Sequence, residues 1–435
     1  MIHSESILGN ELPPTLRCRI SGRVIEVCGP IVRTSLIPAA IGDWVEIQSR
    51  GARPPVAAEV VGFSEDRLLL GLHCPPNDIL PGAAAILTGN IRSSLPSALL
   101  GGVFDGLGNV LQPGIRIAPQ APQRLARDEP TIPSPLARTP VTRPFVTGIR
   151  AIDGLLTIGC GQRLCVLAEP GCGKSSLLAM IARNSSAAAN VIALVGERGR
   201  EVGELLREVL TPETRRRTVM VISTSDEAPL RRIAAAATAT RIAEHFREQG
   251  LDVLLQIDSL TRYLRALREV GLAAGELPVR RGYPPSVFTS LPRLIERAGT
   301  GSRGSITAFY TVLLSSDLDE DPMIDEIKGL TDGHIVLSKR LASVGHFPAI
   351  DVTASLSRLA SRLLEPQVLT AAASVRSALV KLDSDTDILR FGGSADEDLE
   401  RALNLRPRLE SFLTQGADES NGFEETLGQL LALAA

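Results

Sequence analysis

Short runs in which apolar and polar residues alternate occupy the N-terminal part of the chain. Between residues 15 and 90 these runs are GRVIEVCGPIVRTSL, DWVEIQS, VAAEVVGFSED and RLLLGL, and Gly, Pro and charged residues separate them. Alternation with a period of two is typical of antiparallel strands that bury one face. The pattern predicts a small antiparallel barrel or sandwich at residues 15–90, preceded by a flexible N-terminus at residues 1–14.

Longer apolar runs follow, and helical patterns separate them. The runs are RLCVLA, NVIALVG, VMVIST, VLLQID, SITAFYTVLL and HIVLS, and one intervening pattern is EAPLRRIAAAATATRIAEHFREQG. Strands that alternate with helices pair in parallel through right-handed crossovers, with helices on both faces of the sheet. We therefore expect an α/β domain at residues 91–364, entered through a Pro-rich segment at residues 105–145 that lacks the amide donors of regular structure.

Residues 365–435 show no further strand pattern and predict several helices. This tail contains 6 basic and 13 acidic residues, whereas the whole chain contains 46 and 49 and has a net charge of −3. Acidic charge is therefore concentrated at one end of the chain, and we expect partners to dock on this helical end.

The composition argues against several classes of protein. Apolar residues make up 44% and charged residues 22%, which is typical of a globular chain, but aromatic residues make up only 3% and offer little for stacking on single-stranded nucleic acid. Six cysteines without a Cys-x-x-Cys pair, with five His in all, disfavour metal ribbons and a disulfide framework, and fit a reducing cytoplasm. The chain shows neither an apolar signal region nor the run of about 18 apolar residues that spans a membrane.

One loop has the composition of a phosphate-binding site. The run RLCVLA leads through the residues EPGCGKSS into the helical run LLAMIARN. Ala168, the last residue of RLCVLA, stands where the usual pattern has its first glycine. In such a loop the glycines let backbone amides point at phosphates, the Lys reaches the β and γ oxygens, and the Ser hydroxyl ligates Mg²⁺. We interpret Cys172 as a space-filler rather than a redox switch. The predicted site for ATP and Mg²⁺ comprises Glu169, Pro170, Gly171, Cys172, Gly173, Lys174, Ser175 and Ser176.

Two of the predicted strands end in carboxylates. VLLQID ends at Asp258, and the strand after the phosphate loop ends at Glu197. At such a strand end, Asp258 suits the magnesium of a bound triphosphate, and Glu197 suits the water that attacks the triphosphate. Both regions also have a structural interpretation. Asp258 would serve as a cap for the helix that begins at Ser259, and Arg198 and Arg200 would be the solvated first turn of a helix.

Four strings connect these features to a known family. They are GIRAIDGLLTIGCGQRLCVLAEPGCGKSSLL, VGERGREVGELL, DSLTRYLRALREVGLAAGELPVRRGYPPSVFTSLPRLIERAG and GHFPAIDVTASLSR. They resemble the ATPases of type III secretion systems and of the flagellar export apparatus, which are relatives of the catalytic subunit of rotary ATP synthases. The similarity runs from Arg19 onward. It implies an α/β fold with a RecA-like P-loop ATPase core, an N-terminal β-barrel domain and a C-terminal helical domain.

The resemblance also implies roles for single residues. Arg358, in SLSR, matches an arginine finger inserted into the neighbouring subunit's site, where it stabilises charge on the transferred phosphoryl group. Phe347, in GHFPAID, matches an aromatic residue that stacks on adenine, and a place in the core is the alternative. By the same resemblance, Lys174 and Ser175 would bind phosphate and Mg²⁺, Asp258 would be the carboxylate beside the magnesium, and Glu197 would polarise the attacking water.

The partners implied by the resemblance are those of a secretion motor. It implies a cytoplasmic homohexamer, peripheral at the inner face of the bacterial inner membrane, that contacts stator and central-stalk proteins, chaperone–effector complexes and the export gate. Hydrolysis would power chaperone release, unfolding and export. The short N-terminus and the GCGKSS variant favour an injectisome, and a flagellar protein export ATPase is the alternative.

Two other classes remain open from the sequence. A hexameric RNA translocase also combines a small β domain with a phosphate loop, but residues 15–90 offer only Trp44 and Phe63 for stacking, so we expect no nucleic-acid partner. A catalytically silent nucleotide-binding subunit of a rotary motor would lack the catalytic glutamate, whereas Glu197 is present.

Overall fold

The computed structural model describes most of the chain. The described residues are 19–51, 53–89, 99–112, 132–134, 136, 138–314, 322–390 and 396–434, without the side chains of residues 385–390. The predicted flexible N-terminus and much of the Pro-rich segment lie outside the described residues.

The N-terminal strands form a closed barrel in the order β1-β2-β5-β4-β3-β6. Alternate residues point inward, so Val24, Val45 and Leu70 are 3% exposed or less. The turn from β1 to β2 contains Gly29 at φ 56°, a conformation that favours glycine. Of the two predicted architectures the barrel is confirmed, and β6 is a strand that the alternating runs did not predict. The strands are β1 (Ser21–Cys28), β2 (Ile31–Ser35), β3 (Trp44–Ile47), β4 (Val56–Ser64), β5 (Arg67–Leu72) and β6 (Ala84–Gly89).

A second sheet carries the predicted phosphate loop. Its order is β15-β14-β8-β13-β11-β9-β10-β7, and the short β12 pairs with β13. The six strands predicted from apolar runs are β8, β9, β10, β11, β13 and β14, and they pair in parallel as expected. The edge strand β15 runs antiparallel to β14. The strands are β7 (Val103–Asp105), β8 (Arg163–Ala168), β9 (Ala189–Glu197), β10 (Thr218–Thr224), β11 (Asp252–Asp258), β12 (Gly299–Thr300), β13 (Ser305–Leu313), β14 (Gly333–Leu337) and β15 (Ile350–Ser357).

Helices cover both faces of this sheet. Cys165 and Leu167 of β8 pack in one apolar cluster with helices α4 to α6, whereas Leu164 and Val166 pack in another with α1, α2 and the C-terminal helices. The predicted long helix is confirmed as α4, which begins with a proline at a position that needs no amide donor. The helices are α1 (Arg150–Leu155), α2 (Lys174–Asn184), α3 (Gly199–Val209), α4 (Pro229–Glu248), α5 (Leu260–Ala274), α6 (Pro285–Ile295), α7 (Pro322–Leu330), α8 (Lys339–Ser343) and α9 (Ala360–Leu363).

The C-terminal part is helical, as its sequence predicts. It consists of α10 (Pro366–Arg390), α11 (Glu397–Leu413) and α12 (Phe423–Ala434). Phe412 and Leu413 pack against Ile152 and Leu155 of α1, so this helical domain shares a core with the sheet domain. Within the ranges given above, every helix is too short or too polar to cross a membrane.

Candidate nucleotide-binding site

The loop between β8 and α2 has the backbone of an anion site. Gly171 and Gly173 adopt φ 85° and 79°, which a side chain would strain. The first turn of α2 has no side-chain cap and no acidic residue, so its amide groups and the positive end of the helix dipole are available to a ligand. A Cβ at Gly171 would have nothing within 4 Å, so the loop is open there. These features fit a phosphate chain bound at the start of α2.

Lys174 lies between the two predicted carboxylates. Its Nζ contacts Asp258 Oδ1 and lies 3.5 Å from Glu197 Oε1. Both acids are buried, with Asp258 2% and Glu197 5% exposed. They lie at the same end of the sheet because β9 and β11 are adjacent parallel strands. The sheet thus brings together the three residues that the sequence assigned to phosphate, Mg²⁺ and water.

Asp258 is oriented by a neighbouring strand. The Thr311 hydroxyl of β13 donates a 2.7 Å hydrogen bond to Asp258 Oδ1. The capping alternative for Asp258 is wrong, since the Ser259 side chain accepts the amide of Arg262 and caps α5. Ser175, the second residue of α2, is exposed beside the loop. A hard cation such as Mg²⁺ suits the oxygen donors of Ser175 and Asp258.

Arg262 is a site residue that the sequence analysis missed. Its Nε and Nη2 donate to Oε1 and Oε2 of Glu197 at 3.2 and 3.3 Å. Gly196 makes room for it, because a Cβ there would lie 2.9 Å from Arg262 Cδ. Burial raises the pKa of Glu197, and the charges of Lys174 and Arg262 oppose that rise. The position of Arg262 in the first turn after Asp258 was the available signal.

The other arginines after Glu197 are solvated. Arg198 and Arg200 have side chains 76% and 84% exposed and pair along α3 with Glu201 and Glu204. The structural interpretation of Arg198 and Arg200 as an exposed first turn is confirmed.

Phe347 lies beside the phosphate loop. A Cβ at Gly173 would lie 3.3 Å from the Phe347 ring, and this ring is 43% exposed. The alternative of a core residue is therefore wrong. An exposed aromatic face next to a phosphate loop is available to a nucleotide base.

Arg358 lies at the end of the sheet where β8 begins, opposite to the end that carries the phosphate loop. Its amide donates to the Asp332 carbonyl, and Asp332 accepts from Arg163 at the start of β8, whereas the phosphate loop follows Ala168 at the end of that strand. Five steps of about 3.3 Å separate the two ends by about 17 Å. The Arg358 side chain is exposed and donates to the Lys328 carbonyl at 3.2 Å. The structure therefore does not bring Arg358 to the phosphate loop of its own chain.

Cys172 fills space within the loop. The residue is 1% exposed, and burial raises the pKa of its thiol, so the thiolate is disfavoured. Among the described side chains no group of His, Cys, Asp and Glu has the arrangement of a metal cage.

Comparison with known proteins gives a consistent assignment. The nucleotide-binding domain of the ATP synthase alpha/beta family matches residues 148–357, and the T3SS EscN ATPase C-terminal domain matches residues 364–432. The flagellum-specific ATP synthase of Treponema pallidum is 45% identical, over 95% of this chain and 92% of that protein. The type 3 secretion system ATPase of Xanthomonas euvesicatoria is 40% identical, over 99% and 97%.

Comparison with solved structures gives the same assignment. The assembled ATPase EscN from the type III secretion system of enteropathogenic E. coli superposes with a TM-score of 0.88 and 41% identity, over 95% of this chain and 100% of that one. EscN in complex with its central stalk EscO superposes with a TM-score of 0.85 and 40% identity, over 95% and 100%. The chain belongs to the family of type III secretion and flagellar export ATPases.

Proposed function

We propose that this protein is the ATP-hydrolysing motor of a bacterial type III protein secretion system. The observation that carries the proposal is the position of Lys174, beside an uncapped helix start and between Glu197 and Asp258. A cation held by two buried acids at a phosphate loop suits a site whose ligand brings its own negative charge and metal ion.

Each residue then has a distinct task. Ser175 and Asp258 would hold Mg²⁺, which would supply positive charge against the phosphates of ATP. Lys174 leaves the carboxylates and binds the β and γ oxygens. Glu197 orients the attacking water and accepts its proton, and Arg262 holds the plane of the Glu197 carboxylate.

Arg358 serves the site of a neighbouring subunit in a homohexamer. Its exposed side chain and its distance from its own phosphate loop support a role in trans. The solved EscN is an assembled ATPase, which supports a ring for this chain as well. A site completed by a partner's arginine makes turnover depend on assembly.

Partners and location follow from the same proposal. EscN was solved with its central stalk EscO, so we expect a central-stalk protein here, together with a stator, chaperone–effector complexes and the export gate. Relatives from injectisomes and from flagella are both 40–45% identical. We propose an injectisome, with the flagellar apparatus as the alternative, and a cytoplasmic position peripheral to the inner membrane. Hydrolysis would power chaperone release, unfolding and export.

An RNA translocase fits this chain less well. Trp44 already stacks on His73, with ring centroids 4.7 Å apart. Of the two barrel aromatics, Trp44 thus has one face occupied by its own chain, and Phe63 alone is exposed.

The test is turnover as a function of protein concentration. We expect the rate per subunit of the wild type to rise steeply as rings assemble. Arg358→Ala should bind a fluorescent ATP analogue like the wild type but lose most turnover. Equal rates for Arg358→Ala and wild type would refute the role in trans. RNA-stimulated hydrolysis with tight RNA binding on filters would refute the secretion motor.

A further inference from the structure

The loop between α11 and α12 touches the nucleotide site from the C-terminal domain. The amide of Gln415 in this loop donates a 2.8 Å hydrogen bond to the carbonyl of Phe347. The Thr414 hydroxyl lies 3.4 Å from Nδ1 of His346, the residue before Phe347. The backbone that carries the candidate base-binding ring is therefore attached to the C-terminal domain as well as to its own.

The side chain of Gln415 fixes this loop to the start of α1. Gln415 is 3% exposed. Its Oε1 accepts the amide of Arg150 at 3.0 Å, and its Nε2 donates to the carbonyls of Gly148 and Glu419 at 2.7 and 2.9 Å. A buried amide with all these partners holds one geometry, because any shift leaves a buried polar group unpaired.

Arg150 closes the same contact from the other side. Its Nε donates to the Phe412 carbonyl at 2.9 Å, its Nη1 donates to Asn421 at 2.6 Å, and it forms an ion pair with Glu419. The loop is thus held to α1 at both of its ends, and Gln415 lies between them.

We propose that Gln415 is a positioning residue for the purine base of the nucleotide. It holds the main chain at Phe347, so that the phosphate-side residues and the base-side ring bind one ligand together. This proposal rests on the proposed function, in which Phe347 contacts adenine. The hydrogen bond from Gln415 to Phe347 directly connects the helical domain, where partners are expected to dock, with the base side of the site.

Gln415→Ala tests the proposal, because it removes the side-chain bonds and keeps the backbone amide. We expect the KM for ATP to rise about 3- to 10-fold, as for the loss of about one net hydrogen bond, with kcat within about twofold. The inhibition constant of inorganic tripolyphosphate, which has no base, should not change. Gln415→Glu keeps the acceptor for Arg150 and loses the donor to Gly148, so it should have an intermediate effect.

Two comparisons separate positioning from general damage. Gln429→Ala is the matched control, since that side chain donates to Glu425 within α12, and it should leave the KM unchanged. In a Phe347→Ala background, Gln415→Ala should add no further rise in KM, because the ring it positions is absent.

Several results would overturn the proposal. They are an unchanged KM in Gln415→Ala and Gln415→Glu, an equal loss of ATP and tripolyphosphate affinity, or additive effects with Phe347→Ala. If Gln415→Ala melts below the assay temperature, Gln415→Glu decides alone. Failure of the proposed function is a different result, in which the wild-type protein does not hydrolyse ATP at any concentration.

Discussion

Arg262 donates from Nε and Nη2 to both carboxylate oxygens of Glu197, at 3.2 and 3.3 Å. A planar guanidinium that contacts both oxygens fixes the plane of the carboxylate as well as its position. A residue that must present one lone pair to a water molecule benefits from that restriction.

Substitution of Arg262 should lower turnover more than nucleotide affinity. In Arg262→Ala the Glu197 carboxylate can rotate, and we expect kcat to fall about 10- to 100-fold. Arg262→Lys keeps the charge but not the two-point contact, so it should recover little of the rate. Arg265→Ala, an exposed arginine on the same helix, is the control. Steady-state kinetics and fluorescent-nucleotide binding provide the measurement, and a wild-type kcat in Arg262→Lys would contradict the interpretation.

Loss of the Thr311 hydroxyl should raise the Mg²⁺ requirement. Thr311→Val is nearly isosteric and removes the 2.7 Å hydrogen bond that orients Asp258. We expect the Mg²⁺ concentration for half-maximal nucleotide affinity to rise about 3- to 10-fold, and nucleotide binding in EDTA to be unchanged. Thr311→Ser keeps a hydroxyl and should restore the wild-type value. An identical Mg²⁺ titration for Thr311→Val would show that Asp258 needs no such partner.

The phosphate loop and the strands that frame it could be predicted from the sequence because their signals are local. Gly171, Gly173 and Lys174 are contiguous, and Asp258 and Glu197 each end an apolar run. Parallel strands in one sheet end at a common edge, which is why these two acids meet in the structure.

The missed features depend on contacts between distant segments. The position of Arg262 in the first turn after Asp258 can be seen in the sequence, but its contact with Glu197, 65 residues away, depends on how α5 follows β11. Gln415 meets Arg150 across 265 residues of chain. The strands β6 and β15 lack a distinctive signal, since β6 (AAILTG) is mostly half-buried and β15 (IDVTASLS) is an edge strand that mixes polar and apolar residues.

The pH dependence of hydrolysis should reflect the environment of Glu197. Burial raises the pKa of this carboxyl, a hydrogen bond with Glu201 adds to the rise, and Lys174 and Arg262 oppose it. A base acts only when ionised, so activity should fall as the pH drops through a pKa above the ordinary glutamate value. Arg262→Ala removes an opposing charge and should move this acid limb to higher pH. Profiles of kcat from pH 5 to 9 test this, and an acid limb that does not move would exclude Glu197 as its origin.

Removal of the Arg150 side chain should loosen the C-terminal helices before the rest of the protein. Arg150 is buried and donates to the carbonyls of Phe412 in α11 and of Thr414 in the following loop, so Arg150→Met leaves those carbonyls without this donor and removes the ion pair with Glu419. We expect a loss of about 2–4 kcal/mol in the local stability of this contact. Hydrogen exchange should accelerate at least about tenfold in α11 and α12 and remain slow in β9 at the centre of the sheet. Arg401→Met, at an exposed position of α11, is the control. Equal protection in Arg150→Met and wild type would mean that apolar packing against α1 alone holds the helical domain in place.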